Sequence, residues 1–193
     1  MKKKIYCNFV DFWLGFNYKT YFWYLSDEYD LQIEKDHPDY LFYSCFGNEH
    51  LFYEDCIRIF FSGENIIPDL NMCDYGVSLS HIRCDDRTFR MYGGFIYDKD
   101  FHLVLPLLKE EALLNRKFCN FVYSNNICAV PYRELFFKTL SGYKRIDSGG
   151  AFLNNMGKKV GDKRQFLHEY KFTLAIENSS MPGYVTDKIL DPF

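Results

Sequence analysis

The sequence predicts an α/β protein built of two parallel-sheet units, and three observations carry that reading. The first half holds short apolar runs with few hairpin signals, which suit parallel strands joined by loop or helical crossovers. The second half alternates strand-like and helix-like segments, as a Rossmann-like nucleotide-binding domain does. Between them, DKDFHLVLPLLKEEALLNRK (98–117) is charged and part helical, with Pro106 inside it, as a connection is. The expected organisation is a domain over 1–108, a linker over 109–117 and a second domain over 118–193.

In the first half, KIYCNFV (4–10) is apolar and β-favouring. An aromatic-rich helix is expected over 18–28. YDLQIEK (29–35) and YLFYSCF (40–46) follow, the second apolar throughout, as in a strand covered on both faces. IRIFFS (57–62) ends abruptly at Gly63, and DYGVSLS (74–80) is a further strand. In the second half, FCNFVYS (118–124) is a strand, and PYRELFFKTL (131–140) is a helix with Pro131 in its first turn. YKRIDS (143–148) is a strand running into Gly149-Gly150. A short helix starts near Asp162, KFTLAIEN (171–178) is a strand, and another helix is expected over 184–192 with Thr186 and Asp187 in its first turn. Only about 75 residues follow the linker, fewer than a full α/β domain of roughly 100–150. A parallel sheet left there exposes an unpaired edge. The pattern thus predicts that the second domain is incomplete in this chain.

Composition excludes several function classes. The 193 residues carry 23 basic and 26 acidic side chains, a net charge of −3. That balance gives no support to nucleic-acid binding. Met1-Lys2-Lys3-Lys4 opens like a secretory signal, but Cys7, Asn8 and Asp11 interrupt the apolar stretch that should follow. No run approaches the roughly 18 apolar residues of a membrane span. A cytoplasmic protein is expected. Cys7, Cys45, Cys56, Cys73, Cys84, Cys119 and Cys128 are odd in number and scattered, and His37, His50, His81, His102 and His168 show no ligand spacing. Small buried thiols in a reducing compartment explain the cysteines best. Aromatic residues reach 20%, but Phe, Tyr, Lys, Ile and Asn are all favoured by AT-rich codons, so this richness is not read as function.

Four constellations could carry chemistry. Glu64 lies in Phe61-Ser62-Gly63-Glu64-Asn65, just past a strand end, where ligands of open α/β sheets sit. A carboxylate there can take a proton from a bound hydroxyl, although the motif by itself favours a plain surface carboxylate in a strand-to-loop turn. Glu177-Asn178-Ser179-Ser180 leads through a glycine loop to Gly183-Tyr184-Val185-Thr186-Asp187-Lys188. A helix N-terminus there offers N–H groups to a phosphate, Lys188 adds a charge, and Asp187 can accept from ribose hydroxyls. Ordinary capping by Thr186 is the competing reading. Arg133 could reach a pyrophosphate with a forked donor pair. Asp147-Ser148-Gly149-Gly150 could cradle an anion or simply turn. The charged cluster Asp85, Asp86, Arg87 and Arg90 is read as a solvated, mutually paired surface.

Together these segments resemble glycosyltransferase family 10, the fucosyltransferases, and most closely its bacterial α-1,3-fucosyltransferases. The likeness runs through Phe9-Val10-Asp11-Phe12-Trp13, Tyr40-Leu41-Phe42-Tyr43-Ser44, Ser62-Gly63-Glu64-Asn65 with Pro68-Asp69, and Cys73-Asp74-Tyr75. It continues through Asp86-Arg87, Phe118-Cys119-Asn120-Phe121-Val122 and Ile176-Glu177-Asn178-Ser179. Gly183-Tyr184-Val185-Thr186-Asp187-Lys188-Ile189 is its most specific stretch.

The resemblance implies a GT-B-like architecture: two Rossmann-like domains, the first binding acceptor and the second GDP-fucose. It implies inverting transfer of L-fucose from GDP-fucose to a hydroxyl of an N-acetylglucosamine-containing glycan, of N-acetyllactosamine or lipopolysaccharide O-chain type. No cofactor and no obligatory metal are implied. Glu64 matches the general base, Arg133 and Lys188 the diphosphate-binding residues, and Asn178 and Tyr184 other donor contacts. Asp187 stands where the family has a glutamate, one methylene longer. Peripheral association with the inner face of the membrane fits lipid-linked acceptors of this kind. An inactive truncated remnant, or a sugar- or nucleotide-binding module without transfer, remain the alternatives.

Overall fold

Every strand pairing found is parallel, in two separate sheets. The computed structural model describes residues 2–91, 114–127 and 129–192. The chain divides into two units, Met1–Phe101 and His102–Phe193. The expected connection over 98–117 lies outside the described residues as far as residue 113, so the 108 and 118 boundaries are not decided by it.

The first unit's sheet runs β2-β1-β3-β4-β5-β6. The strands are β1 (Lys3–Val10), β2 (Tyr29–Ile33), β3 (Tyr40–Tyr43), β4 (Ile57–Phe61), β5 (Tyr75–Ser78) and β6 (Thr88–Arg90). The order reverses between β1 and β3, which makes the carboxyl ends of those strands a topological switch point. Period-two alternation sorts the side chains onto two faces. Cys7, Phe42 and Phe61 join Phe22 on one face, while Val10, Leu41, Tyr43 and Phe60 join Cys73 on the other. Phe9 and Phe42 are register partners, and their rings stack at 4.9 Å.

The helix expected over 18–28 is two: α1 (Tyr18–Tyr21) and α2 (Trp23–Glu28). Phe22 breaks it at φ −118° and ψ 33°. Its ring is 1% exposed and packs 5.2 Å from Phe9, 5.2 Å from Phe42 and 4.6 Å from Phe61. Burying that ring outweighs continuity in a run of bulky aromatics with modest helix propensity. The reading of residues 85–90 as a mutually paired surface is also corrected. Thr88–Arg90 is an edge strand on β5, and Arg87 donates to the carbonyls of Asp74, Leu70 and Cys73 at 2.8–2.9 Å. A guanidinium finds better acceptors in those three converging carbonyls than in solvated neighbours.

The second unit's sheet is β8-β7-β9: β7 (Lys117–Phe121), β8 (Asp147–Ser148) and β9 (Tyr170–Thr173). Helix α3 (Tyr132–Tyr143) starts at Pro131 and lays Phe137 4.7 Å from Phe121. It runs three residues past expectation, with the Lys144 amide still bonded to the Leu140 carbonyl. The strand expected over 143–148 is therefore only two residues long. Helix α4 (Lys163–His168) begins where expected, and the Asp162 carboxylate caps it by accepting from the Gln165 amide at 2.9 Å. The α-helix expected over 184–192 is a single 3-10 turn, Asp187–Ile189. Pro192 has no N–H and biases the residue before it away from helix, which opposes a longer run.

Candidate functional site

In the second unit, β8 and β9 flank β7 on opposite sides, so the carboxyl ends of β7 and β9 form its switch point. Beyond β9 the ladder gives way to a side chain. The Tyr123 hydroxyl donates to the Leu174 carbonyl at 2.9 Å and accepts from the Ile176 amide at 2.6 Å. Burial holds this phenol above its ordinary pKa, so it stays a donor. The chain leaves the ladder here with the Leu174 carbonyl and the Ile176 amide still paired.

Arg133 is fully buried. It donates to the Asn125 carbonyl at 3.4 Å, to the Ile176 carbonyl at 3.1 Å and to Asn178 Oδ1, with its guanidinium 4.2 Å from the centre of the Tyr123 ring. Its Nε has no hydrogen-bond partner among the described residues. Arg133 thus ties the strand-end loops together and turns its fork toward the protein's own acceptors. Asn178 is held at both ends, its carbonyl accepting from the Val130 amide at 2.8 Å.

The remaining residues come from one loop. Gly183 turns it at φ 85°, where a Cβ is unfavourable. Tyr184 is 7% exposed, and its amide bonds the Met181 carbonyl. Asp187 is half exposed. Lys188 extends Nζ to 3.2 Å from Thr186 Oγ1, 3.6 Å from Glu177 and 3.9 Å from Asp187. Arg133 and Asn178 therefore meet directly, and Lys188 and Asp187 lie side by side. Glu177, beside Asn178, joins the loop's two ends. Its carboxylate accepts the Thr186 amide at 2.7 Å and the Thr186 hydroxyl at 2.8 and 3.0 Å. Thr186 caps the turn, as the competing reading of this stretch had it, its hydroxyl accepting from the Lys188 amide.

Sequence reasoning assigned no role to Glu177 or Tyr123. Glu177 stands inside a quoted motif, but a contact nine residues long around an irregular loop leaves no periodic signal. Ser148-Gly149-Gly150 turns against the protein's own groups, and the Gly149 amide is taken by the Phe121 carbonyl. A Cβ on Gly150 would lie 1.9 Å from the Tyr123 carbonyl oxygen, and the Ser148 hydroxyl and amide are taken by Phe152 and Asn155.

In the first unit, Glu64 lies just past the carboxyl end of β4, and its side chain is exposed. The Ser62 hydroxyl, itself buried, accepts the Glu64 amide at 3.0 Å and lies 3.5 Å from the Cys45 thiol. At the switch point, Asp11 adopts φ 59° and is nearly buried. Its carboxylate accepts the Glu49 and His50 amides at 2.8 and 2.9 Å and meets the His50 ring at 2.6 Å. That ring stacks on Tyr43 at 4.2 Å. Asp11 thus shapes the loop after β3. Cys7, Cys45, Cys56, Cys73, Cys84 and Cys119 are free thiols, and burial pushes Cys7 and Cys119 up to about 11, which keeps them protonated. Among the described residues no group of three or more His, Cys, Asp or Glu is arranged to hold a metal ion, and no helix is long and apolar enough to cross a membrane.

Comparison with known proteins matches both units to one family. Residues 7–97 match the family model of the α-(1,3)-fucosyltransferase FucT N-terminal domain. Residues 113–193 match that of the glycosyltransferase family 10 (fucosyltransferase) C-terminal region. The α-(1,3)-fucosyltransferase FucT of Helicobacter pylori is 28% identical over 92% of this chain and 45% of its own length. An α1,3-fucosyltransferase crystal structure aligns with a TM-score of 0.81 at 25% identity, over 99% of this chain and 66% of that one. A structure of an α1,3-fucosyltransferase with GDP-fucose aligns at 0.79 and 26% identity, over 99% of this chain and 66% of that one. The chain thus spans less than half the length of the Helicobacter pylori relative.

Proposed function

The chain belongs to glycosyltransferase family 10, and from that membership we propose that it takes part in transferring L-fucose from GDP-fucose to a glycan hydroxyl. The observation that carries this reading is the origin of Asn178, Tyr184, Asp187 and Lys188. All four come from one stretch leaving β9 at a switch point, where parallel α/β sheets bind nucleotides. Lys188 meets the diphosphate, Asp187 meets the ribose hydroxyls with its exposed carboxylate, and Tyr184 and Asn178 shape the loop around the nucleotide. Arg133 contributes through Asn178 and through its buried charge rather than through a forked contact. The phosphate charge is met by the Lys188 ammonium, and transfer proceeds without an obligatory metal.

Glu64 is the general base. It removes the proton of the acceptor hydroxyl as that oxygen attacks the anomeric carbon, and GDP leaves from the opposite face with inversion. The acceptor is an N-acetylglucosamine-containing glycan of N-acetyllactosamine or lipopolysaccharide O-chain type. Free thiols support a reducing, cytoplasmic setting, with the protein working at the inner membrane face when its acceptor is lipid-linked. Calorimetry of the chain with GDP and GDP-fucose, followed by a transfer assay on N-acetyllactosamine, tests the proposal. Glu64→Gln should leave GDP affinity unchanged and lower transfer by about 10²–10⁴. Absence of GDP binding removes the nucleotide reading, and near-normal transfer by Glu64→Gln removes the base.

A further inference from the structure

We infer that Glu177 is the positioning residue of the diphosphate site: it closes the 178–185 loop and aims Lys188. The inference rests on reading Lys188 as the diphosphate contact. Glu177 lies at the root of the loop and Thr186 at its end. Three short contacts, one from the Thr186 amide and two from its hydroxyl, draw both ends onto a single carboxylate. Such charge-assisted bonds are about twice as strong as neutral ones. The carboxylate is 18% exposed and Thr186 is 7% exposed, so little water competes for either.

The closure determines where Lys188 can go. The Thr186 hydroxyl donates to Glu177 while accepting from both the Lys188 amide and Lys188 Nζ. One hydroxyl therefore relays the position of Glu177 to the backbone and to the ammonium two residues on. Glu177 also draws the ammonium directly, at 3.6 Å. Without this carboxylate, the Thr186 amide loses its acceptor, the loop ends part, and Lys188 keeps the exposed Asp187 at 3.9 Å.

The test is the ratio of GDP to GMP affinity, measured by calorimetry on the full chain. This ratio isolates the diphosphate contact from binding of the base and ribose. Lys188→Ala should lower the ratio by about tenfold, the scale of one charge-assisted hydrogen bond. Glu177→Ala should lower it by a similar factor with GMP affinity nearly unchanged, and the double variant should be no worse than Lys188→Ala. Thr186→Val should follow Glu177→Ala. Glu177→Gln should recover part of the ratio, because its amide oxygen still accepts the Thr186 N–H. Equal losses of GDP and GMP affinity in Glu177→Ala would show a merely structural role and overturn the inference. A ratio untouched by Lys188→Ala would instead remove the premise about Lys188, and a wild-type chain that binds no GDP removes both.

Discussion

Replacing Arg133 by Met tests the architecture of the nucleotide-binding unit at its most buried charge. The guanidinium is fully buried and supplies two strong hydrogen bonds, to Ile176 and Asn178, and a longer one to Asn125. Bonds from a charged donor contribute about 1.5–3 kcal/mol each, and a desolvated guanidinium over a tyrosine ring about 2 kcal/mol. The gross loss is therefore roughly 5–8 kcal/mol. Restoring the hydration of a buried ion in the unfolded state offsets several kcal/mol of this. A net destabilisation on the order of 3 kcal/mol remains, because Met leaves the half-buried Ile176 carbonyl and Asn178 amide oxygen without their donor. Urea denaturation of the full chain, followed by far-ultraviolet circular dichroism, reads the change. Arg133→Lys should fall between the two, since an ammonium keeps the charge but cannot fork. If Arg133→Met unfolds within about 0.5 kcal/mol of wild type, as an ordinary surface substitution does, Arg133 does not hold these loops.

Two other perturbations follow from the same geometry. Asp11 combines a left-handed backbone with a carboxylate accepting two amides and an imidazole. Asp11→Ala should cost on the order of 3 kcal/mol, and Asp11→Asn about 1 kcal/mol, since Asn tolerates that φ and keeps an acceptor oxygen; equal losses in urea would refute the account. Asp147 gives a pH dependence. Burial alone raises its carboxyl, but hydrogen bonds from Arg145 and Tyr170, with the charges of Arg145 and Lys117, outweigh it and hold the pKa below its ordinary value. Folding thus favours the ionised form, so this stabilisation is whole above about pH 4 and is lost as pH falls through the lowered value. Asp147→Asn should flatten that acid limb, and an unchanged slope between about pH 5 and pH 2 would contradict the assignment.

Much of the fold was legible because it is written in local pattern. Doubly buried parallel strands read as continuous apolar runs, and β1, β3, β4 and β7 were found that way. The helix starts near Asp162 and at Pro131 were legible for the same reason, since each signal is a fixed offset from a helix. What escaped was decided by partners far along the chain. Phe22 breaks its helix because Phe9, Phe42 and Phe61 offer its ring a better place than solvent. Arg87 abandons its acidic neighbours for carbonyls 13 to 17 residues away. Glu177 lay inside a recognised motif, yet its function depends on Thr186, across a loop with no regular structure.

The charges of the candidate site also bear on how it can accept an anion. Arg133 and Lys188 are formally balanced by Glu177 and Asp187. The four are not held alike. Glu177 has its oxygens filled by Thr186 at 2.7–3.0 Å, whereas Lys188 lies 3.6 Å from it, beyond ordinary hydrogen-bond length. Asp187 is farther from Lys188, at 3.9 Å, and half in solvent, where such a pair is worth little. Lys188 is therefore the loosely held member of the set. Turning it toward a diphosphate breaks no short contact to a carboxylate and leaves Glu177 satisfied by uncharged donors. A carboxylate whose hydrogen bonds come mainly from threonine stays in place when the lysine leaves, so the loop it closes survives ligand binding.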